Sequence, residues 1–326
     1  MAPYPLALAG YVVVGADYAG LGVGRSADGK EEICHPYGAS AAQAADVVYA
    51  VQAARAAFPV LGKQWVVVGH SQGGGVAWAV AEWMARAGEE EEAMEGYLGA
   101  IPIAPLTDCL DYEERGDRRN EIVAMYAART AEMVYGKERT GEGFSARKEI
   151  FTEEGWRRLE LELDHGVFIA VLVELLKGPG MLREGWRENE TLKRFVRETK
   201  VGAREVRGPM LIVQGEEDPV IQVETTARAV EEMVRLSPGA EVKFVVFKGL
   251  GHDAVLYASQ RLWLGWIGER FFGSDRRGGS GGSRGEGKEG LEKVVLGMGE
   301  TPRPLNAYQR EPNWVIKTVT ESWEIL

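Results

Sequence analysis

The feature that most constrains the fold is a set of five short apolar runs, rich in β-branched residues and separated mostly by helical patterns. The runs cover residues 11–15, 64–69, 96–103, 209–214 and 241–247. Continuous apolar runs of this length are typical of strands buried on both faces of a parallel sheet. Their alternation with helices predicts an α/β fold built on a mostly parallel, doubly wound sheet.

Helical patterns lie between most of these runs. Amphipathic or alanine-rich segments cover residues 40–58, 73–87, 223–235 and 254–272, and the first opens with the capping-box spacing of Ser40 and Gln43. The alternation stops at about residue 107. From there to residue 206 the apolar periodicity is helical, most clearly in 121–134, 168–176 and 191–197. This stretch is predicted to be a helical insertion that caps one end of the sheet.

The predicted domain organisation follows from this break in the alternation. The core has two parts, residues 1–106 and 207–273, with the helical cap 107–206 between them. Residues 274–290 are rich in glycine, serine and charge, which predicts a flexible linker. Residues 291–326 regain apolar and aromatic side chains, including Trp314 and Trp323, so this tail is expected to pack back on the core.

Composition narrows the range of partners. The 326-residue chain is 45% hydrophobic, enough for a sizeable core, and its net charge is −11. A surface of this sign repels nucleic acid and anionic membranes. The apolar runs are also far shorter than the roughly 18 to 20 residues that span a bilayer. The expected ligand is a small neutral or apolar substrate, and no cofactor is predicted.

Two further patterns argue against metal and nucleotide sites. The chain has only two cysteines, Cys34 and Cys109, too few for a disulfide framework or a thiolate metal cluster. Two free thiols and one disulfide between them both stay open. The glycine-rich residues 15–24 do not form a phosphate loop, because Arg25 replaces the last glycine of G-x-G-x-x-G and Leu21 replaces the Walker lysine.

One motif carries nucleophile chemistry. Residues 69–73 fit G-x-S-x-G between a predicted strand and a predicted helix, which is the context of a nucleophile elbow centred on Ser71. The flanking Gly69 and Gly73 are predicted to be required, because a Cβ would not fit in so sharp a turn. The N–H of Gln72, at the helix N-terminus, is predicted to stabilise an oxyanion. A second match around Ser280 lies in the linker with no strand before it, and is not predicted to react.

A serine hydroxyl needs a neighbouring imidazole to take its proton, and the chain has four histidines. His252 follows the run 241–247, so it is predicted on a loop at the end of a strand and is the candidate general base. His70 is expected to pack or hydrogen-bond, and His35 to lie in a loop near the pocket. His165 is expected to be solvated in an acidic stretch.

The third member of such a site is a carboxylate that orients the imidazole. Asp218 follows the run 209–214 at an Asp-Pro turn and is the first candidate, with Glu217 second. Asp253 is third, because sequence neighbours rarely reach each other's ring nitrogens. The chain order Ser71, Asp218, His252 is that of α/β-hydrolases.

These segments resemble a known family. Residues 11–22, the His35-Pro36-Tyr37 segment and residues 69–75 resemble the secretory-lipase-like branch of fungal α/β-hydrolases, as do residues 263–273 and 302–308. The resemblance implies the α/β-hydrolase fold and carboxylic-ester hydrolysis, with Ser71, Asp218 and His252 at the triad positions.

The resemblance also implies three strands and an oxyanion loop before residue 11, where this sequence has ten residues. We therefore expect an N-terminally incomplete sheet that lacks the second oxyanion donor. The first ten residues have no basic region typical of a signal peptide. Members of the resembled group are often secreted, so the compartment stays open.

Three functional hypotheses follow from these observations. The first is a serine esterase that uses the Ser-His-Asp mechanism, with residues 168–176 forming either an apolar acyl pocket or lid, or the cap's own core. The second is a peptidase or acyltransferase with the same triad, because one fold hosts several chemistries. The third is a catalytically impaired remnant.

Overall fold

The computed structural model describes residues 3–86, 95–111, 119–136, 143–166, 169–176, 178, 180–273 and 290–297. Its centre is a five-stranded sheet in the order β1-β2-β3-β4-β5, with every neighbouring pair parallel. The strands are β1 (Trp65–His70), β2 (Tyr97–Ile103), β3 (Met210–Gly215), β4 (Glu241–Phe247) and β5 (Gly290–Leu296). The predicted α/β fold with a parallel sheet is confirmed.

Eleven α-helices lie in the described part of the chain. They are α1 (Pro3–Leu8), α2 (Ser40–Ala57), α3 (Gln72–Arg86), α4 (Arg119–Tyr135), α5 (Ala146–Glu149), α6 (Glu153–His165), α7 (Ile169–Leu176), α8 (Glu190–Thr199), α9 (Val223–Leu236), α10 (His252–Ala258) and α11 (Gln260–Phe272). A 3₁₀ turn covers Trp186–Glu188. None of the described helices is both long and apolar enough to cross a membrane.

The sheet carries a hydrophobic cluster on each face. One cluster joins strand residues such as Val67 and Ile212 to α2, α3 and α9, with Trp78 of α3 fully buried in it. The other joins Ile101 and Val213 to α10 and α11. Alternate residues of β2 and β3 thus face opposite layers, as expected of strands buried on both sides.

Four of the five predicted strands form, and the one at residues 11–15 does not. This segment is not a strand, and Val12 is 70% exposed there. An apolar run becomes a strand only where a neighbour accepts its backbone hydrogen bonds, and no described strand pairs with it. Conversely, β5 was not predicted, because much of it is exposed and charged residues interrupt its apolar ones.

The predicted helix at 254–272 is two helices. Helix α10 ends at Ala258, and Ser259 both caps it and precedes α11. The Ser259 hydroxyl donates to the Val255 carbonyl at 2.6 Å. A serine that bonds to the preceding turn in this way bends or interrupts a helix.

Backbone contacts divide the described chain into two compact units. The first contains the sheet, with described residues up to Tyr18, within Ala41–Thr107, and from Val201 onward. The second contains Ala19–Ser40 and the described part of Asp108–Lys200, including α4 to α8. The second unit thus adds residues 19–40 to the predicted insertion.

The first unit closes where the insertion begins and ends. The N–H of Val201 donates to the carbonyl of Thr107 at 3.1 Å. On α3, the buried carboxylate of Glu82 accepts from the Gly202 N–H at 2.8 Å and pairs with Arg204 at 3.1 Å. Burial nevertheless raises the pKa of Glu82. The chain that returns from the insertion is therefore held against α3 by this hydrogen bond and this ion pair.

Most of the predicted linker and tail lie outside the described residues, as do Phe168, Ser280, Trp314 and Trp323. Only residues 290–297 of these segments are described, and they contain β5.

Candidate active site

The candidate nucleophile lies in a sharp turn between β1 and α3. Ser71 has φ +59°, a left-handed conformation that is uncommon for a residue with a Cβ. Its N–H donates to the Ile103 carbonyl at 2.9 Å, and its carbonyl accepts from Leu106 at 3.0 Å and Gly75 at 3.1 Å. The end of β2 and the segment after it therefore hold the turn in this strained conformation.

Two glycines allow the turn, but they are not the predicted pair. A Cβ on Gly69 would lie 1.9 Å from the Gly73 carbonyl oxygen, and one on Gly74 would lie 2.7 Å from the Ile103 oxygen. A Cβ on Gly73 would meet nothing closer than the Tyr18 hydroxyl at 3.8 Å. The prediction is wrong for Gly73, because Gly74 is the residue whose Cα faces the backbone at the end of β2.

His252 is the first residue of α10 rather than a loop residue. Gly251, the N-cap, is in an extended conformation and turns the chain from β4 into the helix. The His252 ring reaches Ser71, with 2.8 Å between Nε2 and Oγ. The end of a parallel strand thus places the imidazole beside the serine, as expected, although the local structure differs.

Asp218 lies in the turn after β3, and its side chain is fully buried. Its Oδ2 is 2.7 Å from His252 Nδ1. Its Oδ1 accepts from the N–H groups of Val220 at 2.8 Å and Ile221 at 2.9 Å. Because a carboxylate only accepts, Nδ1 carries the ring proton, and Nε2 is then the acceptor for the Ser71 hydroxyl.

Asp218 and Ser71 are the partners of the His252 ring nitrogens, and none of the alternative candidates takes the place of either. Glu217 is exposed, and its N–H donates to the Leu250 carbonyl at 3.0 Å. Asp253 is exposed in the first turn of α10. His165 is the exposed last residue of α6. His35 is partly buried, with Nδ1 3.2 Å from the Ala19 carbonyl.

His70 hydrogen-bonds to the backbone of His252. Its Nε2 donates to the His252 carbonyl at 2.9 Å, and the two rings lie 4.7 Å apart. Burial, and then the proximity of His252, lower the pKa of His70. A neutral His70 therefore fixes the start of α10, a role compatible with the expected hydrogen-bonding residue.

Among the described residues, one group has the composition of a metal site: His70, His252 and Asp253. Both ring nitrogens of His252 already lie within hydrogen-bond distance of Asp218 and Ser71. A metal ion bound to that ring would therefore displace one of those partners. The group belongs to the serine site and does not form a separate metal centre.

The predicted oxyanion donor and the two cysteines are placed as follows in the chain. Gln72 is the first residue of α3, directly after Ser71, so its N–H lies in the positive first turn of that helix.

Cys34 is partly buried, Cys109 is buried, and both are free thiols. The disulfide alternative is thus not formed.

Sequence and structure comparisons agree on the fold. The sequence model described as "Alpha/beta hydrolase family" matches residues 2–263. No curated protein matches the chain. Among solved structures, the rice cell wall degrading esterase LipA from Xanthomonas oryzae is 14% identical with a TM-score of 0.54, covering 73% of this chain and 64% of LipA.

Two other solved structures are similar. A protein from Legionella pneumophila has a TM-score of 0.62 at 15% identity, and the match covers 83% of this chain and 72% of the Legionella chain. Candida antarctica lipase A in its closed state has a TM-score of 0.59 at 12% identity, with 74% and 57% covered. The chain thus spans less than two thirds of LipA and of lipase A, and these identities establish the fold alone.

Proposed function

The chain belongs to the alpha/beta hydrolase family, and we propose that it is a serine hydrolase that cleaves carboxylic esters through Ser71, His252 and Asp218. The observation that carries the proposal is the unbroken series of contacts from serine to imidazole to carboxylate, at 2.8 and 2.7 Å. The nucleophile of this series lies in a strained strand-to-helix turn. This arrangement is the one that nucleophilic catalysis by a serine requires.

The proposed reaction has two halves. Ser71 Oγ attacks the ester carbonyl carbon while its proton moves to His252 Nε2, and the Gln72 N–H stabilises the oxyanion. The imidazolium, stabilised by Asp218, gives that proton to the departing alcohol, which leaves an acyl group on Ser71. Water then attacks the acyl carbon while His252 Nε2 takes its proton. The bond from the acyl carbon to Ser71 Oγ breaks, the proton passes to Oγ, and the acid is released.

The expected substrate is a small neutral or apolar ester, because the net charge of −11 disfavours anions. The esterase and lipase among the structural neighbours are compatible with this substrate class. Membership of the fungal secretory-lipase-like branch is part of the same proposal. The assembled triad favours an active enzyme over a remnant.

The test compares p-nitrophenyl butyrate hydrolysis by the wild type, Ser71→Ala and Ser280→Ala. Ser280 is a matched control because it occupies the second G-x-S-x-G match. We expect activity and fluorophosphonate labelling in the wild type and Ser280→Ala, and a loss of at least about 10³-fold in Ser71→Ala.

Full activity in Ser71→Ala would refute the mechanism. Labelling without ester hydrolysis, together with cleavage of an aminoacyl arylamide, would favour the peptidase alternative. Neither labelling nor hydrolysis in the wild type would favour the remnant.

A further inference from the structure

A buried amide lies behind the triad carboxylate. Gln214, in β3, is fully buried, and its Nε2 donates to Asp218 Oδ2 at 2.9 Å. This oxygen is the one that lies on His252 Nδ1. The same Nε2 also donates to the Ile221 carbonyl at 2.8 Å. Gln214 therefore holds both the carboxylate and the turn that carries it.

A second buried residue sets the orientation of this amide. The Thr226 hydroxyl, on α9, donates to Gln214 Oε1 at 3.0 Å, and Thr226 is fully buried. The reversed amide would place Oε1 against two acceptors, the Asp218 carboxylate and the Ile221 carbonyl. The chemistry of the three partners thus permits one orientation only.

We propose that Gln214 is a positioning residue for the ester hydrolysis proposed above, on which this inference rests, and that Thr226 acts through it. The carboxylate of Asp218 accepts two N–H bonds on Oδ1 and two on Oδ2. These four donors occupy its acceptor sites, so the carboxylate does not rotate. The imidazole is thereby held with Nε2 toward Ser71.

Stability alone does not account for this pair. A buried amide needs partners to offset its desolvation, and apolar groups of similar shape can replace a buried hydrogen-bonded pair at little cost. A methionine would fill the Gln214 position in β3 about as well. What an apolar residue would not supply is the fourth donor to Asp218.

The effect is expected on the chemical step. His252 takes up the serine proton during the reaction and becomes positively charged. If Asp218 is held less firmly, it stabilises this charge less well, so kcat falls while substrate binding stays nearly unchanged. We expect Gln214→Met to lower kcat about 10- to 100-fold, with KM within about twofold. Thr226→Val is expected to lower kcat about 3- to 10-fold, and the control Thr226→Ser, which keeps the hydroxyl, to leave it unchanged.

The rate is measured per active site titrated with a fluorophosphonate, so that loss of folded protein does not count as loss of turnover. An unchanged kcat per titrated site in Gln214→Met would overturn the proposal. The double variant Gln214→Met/Thr226→Val should match Gln214→Met, because Thr226 acts through Gln214. Additive losses would overturn the role of Thr226.

An NMR measurement decides the proposal even without turnover. The His252 Nδ1–H, hydrogen-bonded to Asp218, should give a downfield proton resonance in the wild type and in Thr226→Ser. In Gln214→Met this resonance should broaden or shift upfield. An identical resonance in the wild type and in Gln214→Met would refute the positioning role. An inactive wild type would refute only the proposed function.

Discussion

The glycines of the nucleophile elbow provide the sharpest test of the geometry, because the structure makes Gly74, and not the predicted Gly73, the second required glycine. Gly69→Ala places a Cβ 1.9 Å from a carbonyl oxygen of α3, and Gly74→Ala places one 2.7 Å from the Ile103 oxygen. Both obstacles are backbone atoms, so β1, β2 and α3 would have to separate. Gly73→Ala meets its nearest atom at 3.8 Å, an ordinary contact.

The expected magnitudes follow from these distances. Overpacking costs about 1 to 3 kcal/mol and sometimes more, so we expect about 3 kcal/mol or more for Gly69→Ala and about 2 for Gly74→Ala. Gly73 lies in the first turn of α3, where alanine is the better helix former, so Gly73→Ala should gain up to about 1 kcal/mol. A displacement of Ser71 by about 1 Å would also lower activity about 100-fold in the first two variants.

Urea unfolding followed by tryptophan fluorescence measures the stabilities, and p-nitrophenyl butyrate hydrolysis measures the activities. If Gly73→Ala and Gly69→Ala lost equal stability and activity, the reasoning would be refuted. The motif, rather than the contact geometry, would then determine which glycines are required. A neutral Gly69→Ala would show that the turn is wider than the structure has it.

Three further predictions concern strain and pH. The free energy of unfolding should be about 1 kcal/mol higher for Ser71→Gly than for Ser71→Ala, because glycine adopts φ +59° without strain. The reverse order of stability would contradict the left-handed turn. His70 has a lowered pKa in the folded state, with His252, Asp253 and Asp218 facing it, so wild-type stability should fall as pH drops below 6.5, and His70→Gln should remove that part of the slope. Glu82 has a raised pKa, so its contribution falls as pH rises above 4.5; Glu82→Gln should flatten that limb of the stability curve, and an unchanged limb in urea titrations would count against it.

The sheet and the three triad candidates could be predicted because each depends on local sequence. Ser71, Asp218 and His252 each follow a β-branched run, and parallel strands end at the same edge of a sheet. The spacing of these runs therefore places three residues distant in sequence together, which the distances of 2.8 and 2.7 Å show.

The rest depends on partners that local sequence does not show. The run at 11–15 has the composition of a strand but no described strand beside it, whereas β5 has a poorer composition and pairs with β4 along its full length. Gln214 reads as an interruption of an apolar strand, and its role appears only when Asp218 and Thr226 surround it. The glycine pattern was visible, but which glycine needs its missing Cβ depends on the contact with the backbone at 103–105.

The hydrogen bond between Thr107 and Val201 has a consequence for how such a protein can change. The chain leaves and rejoins the sheet unit at neighbouring points. In the connection from β2 to β3, the residues between these points therefore act as a loop whose ends are already joined. The free energy of closing a loop changes only slowly with its length. The intervening helices can therefore be shortened, extended or exchanged while β2 and β3 stay paired.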